Sequence, residues 1–266
     1  MHLHCQSSDC PGGYPLPAVD RESNVTQLEA INMNEHKIVS QEEWLAARIE
    51  HLAREKEFTR LRDQLSRQRR ELPWVRIEKE YLFDGPAGRE SLADLFAGKS
   101  QLIVYHFMYG PDWEQGCPSC SLWADNFNGI VVHLEHRDIA LLAVSRARLD
   151  TLEAYKKRMG WNFKWVSSFA SDFNRDFHVS FTPDEMAKGE MIYNFGKTRF
   201  PSTEGPGISV FYKSQGDIFH TYSCYARGLD MLNAAYHYMD LAPKGRDEDG
   251  LPSTMAWLRR HDQYGS

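Results

Sequence analysis

The sequence predicts an α/β protein: a central mixed sheet flanked by helices, preceded by one long helix. Three observations carry that prediction. "QLIVYHFM" (101–108) and "IALLAVS" (139–145) are unbroken apolar runs of strand length, the pattern of strands covered on both faces. Segments of helical period follow each run, so strand and helix alternate, as they do around a sheet with parallel strands. "GISVFYKSQGDIFHTYS" (207–223) reads as two strands joined at Ser214–Asp217, an antiparallel hairpin.

Taken in order, residues 1–34 mix Pro, Gly, Ser and Asn without a period and read as a disordered extension, with Met33 as an alternative start. Cys5 and Cys10 lie there and read as thiols without a role. Residues 35–72 hold the long helix. Ser40 and Glu43 match the capping pattern S-x-x-E, and Leu45, Ile49, Leu52, Phe58, Leu61 and Leu65 form a broken apolar stripe. The arginines after residue 59 read as a solvated face. Pro73 ends the helix.

The domain proper runs from 73 to 266. "VRIEKEYLF" alternates like one strand, "DGPAG" turns, and "SLADLFAG" is a helical turn closed by Gly98. After the first buried strand, "SLWADNFNGIVVHLEHR" reads as one helix. "LDTLEAYKKRMG" is the next helix, "FKWVSS" a third strand, and "DFNRDFHV" and "TPDEMAKG" short helices, the latter with Thr182 as cap and Pro183 in the first turn. "GLDMLNAAYHYMDL" closes the domain as a final helix. Strand, helix, strand, helix, hairpin and helix is the order of a thioredoxin-like fold with an added strand and turn at its start.

Composition bounds the function. Of 266 residues, 42% are hydrophobic and 26% charged, enough for a substantial core. Thirty-one basic against 37 acidic side chains leave a charge of −6, so no global basic field exists for nucleic acid. No apolar run approaches the ~20 residues of a membrane helix. The start of the chain lacks the basic and apolar regions of a secretory signal, so the expected location is cytoplasmic. In that compartment the five cysteines read as thiols, metal ligands or redox groups.

"GCPSC" (116–120) is where chemistry is expected. A four-ligand zinc site would need a second close pair. Cys224, beyond His220 in "HTYSC", is the only other cysteine after residue 34, and the alternation places both on one strand face. A Cys₃His site is thus weakly signalled. Two packed thiols are the bland reading. Redox chemistry fits best, because the pair opens a helix after a central strand. Free N–H groups and the positive helix end would favour the Cys117 thiolate, and Pro118 is tolerated there. Cys117 would be the exposed attacking thiol and Cys120 the resolving one. Trp113 and Glu114 border the pair in sequence. Arg146, after the second buried strand, would stabilise the thiolate if it faced Cys117, though a surface role is the plainer expectation. His106, His178 and His220 read as hydrogen-bonded structural histidines. No glycine-rich phosphate loop is present.

These stretches, with "WLAAR", "LPWV", "RMGWNFKWVSS", "PGISVFYK" and "WLRRHDQY", resemble a bacterial family of unknown function described as predicted dithiol–disulfide oxidoreductases of the thioredoxin-like superfamily. The resemblance runs from about Met33 to the C-terminal segment. It implies a redox pair Cys117–Cys120 and no bound cofactor. In thioredoxin-like proteins a cis proline faces the first cysteine and leaves backbone groups free for an extended substrate; Pro206 occupies that place, with Gly205 and Gly207 leaving room. The implied partners are protein or small-molecule disulfides and a thiol reductant, and the long helix offers a route to a homo-oligomer. Two alternatives stand. One is a peroxiredoxin-like thiol peroxidase with Cys117 peroxidatic, disfavoured because such proteins carry Thr or Ser where Glu114 stands, and a carboxylate raises a neighbouring thiol. The other is a non-catalytic thioredoxin-fold binding module.

Overall fold

The computed structural model describes residues 36–265, so Cys5, Cys10 and most of the expected extension lie outside the described residues. The chain divides into two compact units, 1–64 and 65–266. A single helix, α1 (Gln41–Arg70), spans the boundary. Its start is fixed as the capping pattern requires: the Glu43 carboxylate accepts from the Ser40 amide (2.9 Å), and the Ser40 hydroxyl accepts from the Glu43 amide (3.2 Å). None of its residues is buried.

The second unit is built on an eight-stranded sheet. Its strands are β1 (Val75–Arg76), β2 (Leu82–Gly85), β3 (Gly88–Ser91), β4 (Gln101–His106), β5 (Ile139–Ser145), β6 (Lys164–Ser167), β9 (Gly207–Ser214) and β10 (Asp217–Tyr225), in the order β1-β10-β9-β4-β5-β6-β2-β3. β4, β5 and β6 run parallel; β9 lies antiparallel to β4, and β10 to β9. This is the thioredoxin-like arrangement, with β4 central. A small ribbon, β7 (Ile192–Tyr193) with β8 (Gly196–Lys197), stands apart from it.

The apolar runs are continuous because both faces are covered. Leu102 and Val104 of β4, with Leu142 and Val144 of β5, enter a core that contains Phe173 and Phe177. Tyr105, Leu141 and Ala143 point the other way, into a core shared with Cys120, Trp123, Leu152 and Tyr155. That second face is covered by α2 (Pro118–Ala124) and α4 (Leu149–Arg158); the first is covered by α5 (Phe173–Asp176).

Four expectations are corrected. "VRIEKEYLF" is not one strand: Val75 and Arg76 pair with His220 and Phe219 at one edge, whereas Leu82–Gly85 pairs with β3 and β6 near the other edge. Beyond Ile77, whose amide still donates to Ile218 (2.8 Å), the chain leaves the ladder, and alternation along the sequence does not reveal that the neighbours differ. The helix expected over 121–137 breaks into α2 and α3 (Val131–His136). Asparagines cause the break: the Asn126 amide bonds back to Leu122 and Trp123 carbonyls, and Asn128 is drawn to Gly160 and Asn162. The last helix is also interrupted, a 3₁₀ stretch at Ala226–Leu232 giving way to α7 (Ala234–Met239) at Asn233, whose side chain caps the Tyr236 amide. The fourth concerns β10. A bulge at Thr221 shifts its register, so His220 lies edge-on to Phe177 and tilted against Phe211 while Cys224 joins the opposite core. The two do not share a face, and among the described residues no group of three or more ligating side chains comes together.

Other expectations hold. Thr182 and Glu185 form a reciprocal cap on α6 (Pro183–Lys188), closed by left-handed Gly189. The β9–β10 turn uses Gln215 (φ 53°) and Gly216 (φ 90°), the positive pair that a two-residue hairpin needs. No helix among the described residues is long and apolar enough to cross a membrane.

Gly207 sits between His106 of β4 and Tyr225 of β10. A Cβ there would lie 2.7 Å from the Tyr225 ring and 3.2 Å from Val179. Gly207→Ala should therefore cost about 1–3 kcal/mol, read as a melting temperature roughly 2–10 °C lower. An unchanged melting temperature would show that Tyr225 yields without cost.

Candidate active site

Beyond His106 the chain stays in contact with the sheet for one more residue, the Phe107 amide donating to Val144 (3.0 Å). It then leaves as a loop and is brought back when the Cys117 amide donates to the Met108 carbonyl (3.1 Å). Cys117 is extended (φ −55°, ψ 129°) and Pro118 opens α2, where its missing donor is not needed. One turn on, Cys120 is 1% exposed, whereas Cys117 is half-buried; both are free thiols.

The loop is pinned from several directions. Tyr109 donates its hydroxyl to the Glu114 carbonyl (3.0 Å), and Arg158 reaches Gln115 (2.9 Å). Arg260 donates to the Gly116 carbonyl (Nη2, 2.6 Å) and to the Tyr155 hydroxyl (Nε, 2.8 Å). Because the Cys117 carbonyl can only accept, the direction of the next bonds is fixed. Tyr155 gives its proton to Ser121 (2.9 Å), and Ser121 gives its own to the Cys117 carbonyl (2.9 Å). Gly116 has no room for a side chain: a Cβ would lie 2.8 Å from the Phe107 ring.

The two thiols are pushed apart electrically. A hydrogen bond from the Cys120 thiol, followed by backbone and side-chain donors at Cys120 and Ser119, brings the Cys117 pKa down to about 7 against the opposing effect of burial. Burial pushes Cys120 far the other way, reinforced by Cys117. The Met108 amide donates to the Cys120 sulfur (3.4 Å).

The remaining sequence-derived residues separate into those at the site and those not. Trp113 and Cys117 both pack against the core that holds Cys120. Glu114 is exposed, and its carboxylate is not among the main influences on Cys117. Arg146 is neither free on the surface nor turned to the thiol: it pairs with Glu204 (3.2 Å), a carboxylate only 1% exposed that also accepts from Ser180. His106 is fully buried, bonded to Ser209 (2.9 Å) and held neutral by burial; with Ser223 and His220 it forms a polar chain through the sheet. His178 adopts a left-handed backbone (φ 54°) at the end of its short helix.

Pro206 corrects the sequence reading. The Gly205–Pro206 bond is trans. The chain enters β9 already extended, with Glu204 bridged to Ser180 and the Gly205 amide bonded to Val179 (2.8 Å), so no reversal is imposed. Nor are the flanking groups free for a substrate. The Pro206 carbonyl accepts from Tyr193 (2.7 Å), and the space beside Gly205 and Gly207 is filled by the rings of Tyr193 and Tyr225. The register still sets Pro206 next to Gly207, opposite His106, at the end of β4 from which the Cys117 loop departs.

Sequence reasoning missed Glu204, Tyr155, Ser121 and Arg260. Only Glu204, two residues before Pro206, carried a local hint. A cleft of ≈ 580 Å³ lined by Leu72, Phe195 and the end of β10 reaches Cys224 but neither Cys117 nor Cys120.

Residues 33–264 match the family described as bacterial proteins of unknown function (DUF899). The chain belongs to this family. Among curated proteins no relative matches. Solved structures similar to this family member include a cysteine-to-serine mutant of peroxiredoxin Q from Xanthomonas campestris (16% identity, 59% of this chain, 90% of that one, TM-score 0.38). They also include the peroxidoxin BcpB of Mycobacterium tuberculosis (10%, 61%, 94%, 0.42) and the mitochondrial 2-Cys peroxiredoxin of Plasmodium falciparum (14%, 63%, 92%, 0.36).

Two measurements follow. At pH 6 a thiol of pKa about 7 carries roughly a hundredfold more thiolate than one at the ordinary 9.0, a gain cut to about tenfold by the lower nucleophilicity of the more acidic thiol. Iodoacetamide should therefore label Cys117 about tenfold faster than an ordinary exposed thiol and well before Cys120, the rate rising with a midpoint near pH 7. Labelling of Cys120 first would reverse the two roles.

Glu204 supplies the second. Burial raises its pKa from 4.5 to about 7, against the pull of Ser180 and Arg146. The folded state thus holds a proton that the unfolded chain has lost. The stability this contributes is full below pH 4.5 and is lost as pH rises through about 7. Glu204→Gln should flatten the fall in urea midpoint between pH 5 and 8; an unaltered slope would remove Glu204 as its cause.

Proposed function

We propose that this chain is a thiol–disulfide oxidoreductase working through Cys117 and Cys120. The observation that carries the reading is the asymmetry of the pair: a half-buried, acidified Cys117 held one helical turn from a fully buried Cys120. The Cys117 thiolate attacks one sulfur of a disulfide and expels the other as a thiolate, leaving a mixed disulfide. Cys120 loses its proton and attacks the Cys117 sulfur, expelling the second thiolate. The substrate gains two electrons and the protein is left with a Cys117–Cys120 disulfide, which an external dithiol would reduce. No step calls on a bound cofactor or metal.

Catalysed reduction of a small disulfide in the presence of a dithiol should be lost in Cys117→Ser, by about three or more orders of magnitude, as expected when a nucleophile is removed. Cys120→Ser should accumulate mixed disulfides, and Cys117→Ser should trap none. A parallel reaction with hydroperoxide completes the test. Faster oxidation of Cys117 by hydroperoxide than by disulfides would replace this reading with a peroxidase. Inertness to both would leave a binding module.

A further inference from the structure

β10 is covered on its outer side for only part of its length. β1 pairs Val75 with His220 and Arg76 with Phe219, and the Ile77 amide reaches Ile218 (2.8 Å). From Tyr222 to Tyr225 the ladder continues on the β9 side alone among the described residues, against Val210 to Gly207. Which backbone groups face outward follows from the ladder. The Lys213 amide donates to Ser100 on the β4 side (2.8 Å), so Phe211 and Ser209 bond towards β4, and Val210 and Ile208 towards β10. Their partners are Tyr222 and Cys224. Ser223, between them, therefore turns its amide and carbonyl to the side that β1 has left.

The cleft of ≈ 580 Å³ lies along this open edge. Leu72 bounds it near Tyr222, and Phe195 near Tyr225. Phe195 is 77% exposed, its ring edge-on to Tyr225 (5.4 Å). Like Asn194 it holds a left-handed backbone (φ 65° and 51°), which phenylalanine rarely adopts. At the other end Arg69 lies over the Tyr222 ring (4.8 Å) and, among the described residues, pairs with no carboxylate.

Direction and charge decide what fits. A strand added in the direction of β1 meets Tyr225 first and Tyr222 last. There it runs up against Leu72, three residues before β1 begins, and has to end. Its final carboxylate then falls beside the Arg69 guanidinium. A strand of the opposite direction would set its amino terminus there, cation against cation, and would form the weaker parallel ladder.

We propose that this cleft binds the C-terminal tail of another polypeptide, which extends the sheet at β10 as a short antiparallel strand, sets an apolar side chain between Leu72 and Phe195, and places its terminal carboxylate on Arg69. Main-chain hydrogen bonds supply affinity in this mode, and the cleft and the guanidinium supply selectivity. The cleft reaches neither Cys117 nor Cys120, so the site stands independently of the proposed disulfide exchange.

The test uses the full chain and a panel of fluorescein-labelled pentapeptides that end in two apolar residues and a free carboxylate, read by fluorescence anisotropy. Saturable binding by members of the panel is expected. In the proposed register the penultimate residue faces Ser223 and exchanges both backbone bonds with it, whereas the amide of the last residue points away. N-methylation of the penultimate residue should therefore weaken binding about tenfold or more, and N-methylation of the last residue should leave it unchanged. Amidation of the carboxylate should weaken binding about tenfold or more, and Arg69→Gln should abolish the preference for acid over amide. Phe195→Gly should weaken binding without lowering the melting temperature, because glycine accepts the left-handed backbone. Cys117→Ser should bind as wild type. Three outcomes would overturn the proposal. One is no saturable binding by any peptide. Another is binding indifferent to amidation and to methylation at the penultimate residue, which would make the cleft a general apolar pocket. The third is a dimer in sedimentation that Phe195→Gly dissolves, which would show that a second copy of the chain occupies the edge.

Discussion

One hydrogen bond joins the sheet to the chemistry: the Cys117 amide donating to the Met108 carbonyl. β4 is the central strand, buried on both faces, and its position is fixed by ladders to β5 and β9. The loop that follows would be free to wander. The return bond to Met108 places Cys117 at the mouth of that strand end and aims α2 back over the core. Met108 then acts twice, its carbonyl anchoring Cys117 and its amide touching Cys120. A single residue of strand-like backbone thus orders both sulfurs, and the difference in their burial follows from one helical turn.

The surroundings serve rigidity more than binding. Arg260, Tyr155 and Ser121 relay a one-way set of hydrogen bonds to the Cys117 carbonyl, and Arg158 is joined to Asp262 (2.6 Å) while it holds Gln115. Neither arginine approaches the thiols as a counter-ion in this network. Acidification of Cys117 comes from nearby donors on its own helix turn. That origin makes the thiol less sensitive to salt than one held by a distant charge, because short hydrogen bonds are not screened.

Much of this was legible in the sequence for a physical reason. Apolar runs of strand length bounded by turn signals read as strands covered on both sides, so β4 and β5 announced the sheet and the place where its loop begins. The spacing of Cys117 and Cys120 then fell on a first helical turn. What stayed hidden required contacts across the chain. Asn126 and Asn128 could have been ordinary helix residues; only their bonds to distant or local carbonyls break the helix. Nothing around Thr221 marks the bulge that sends His220 and Cys224 to opposite faces. The glycines beside Pro206 looked like space for a ligand and are instead space for Tyr193 and Tyr225.

The Arg260 clamp has a consequence in time. Gly116 and its partner are separated by 144 residues of chain. A ribosome that adds roughly 5–20 residues per second needs about 7–30 s to make that stretch. During this interval both cysteines exist, and the loop between strand and helix lacks its last restraint. The thiol pair is therefore finished by a residue 144 positions further along, and a nascent chain carries its two sulfurs before it carries the means to hold them in order.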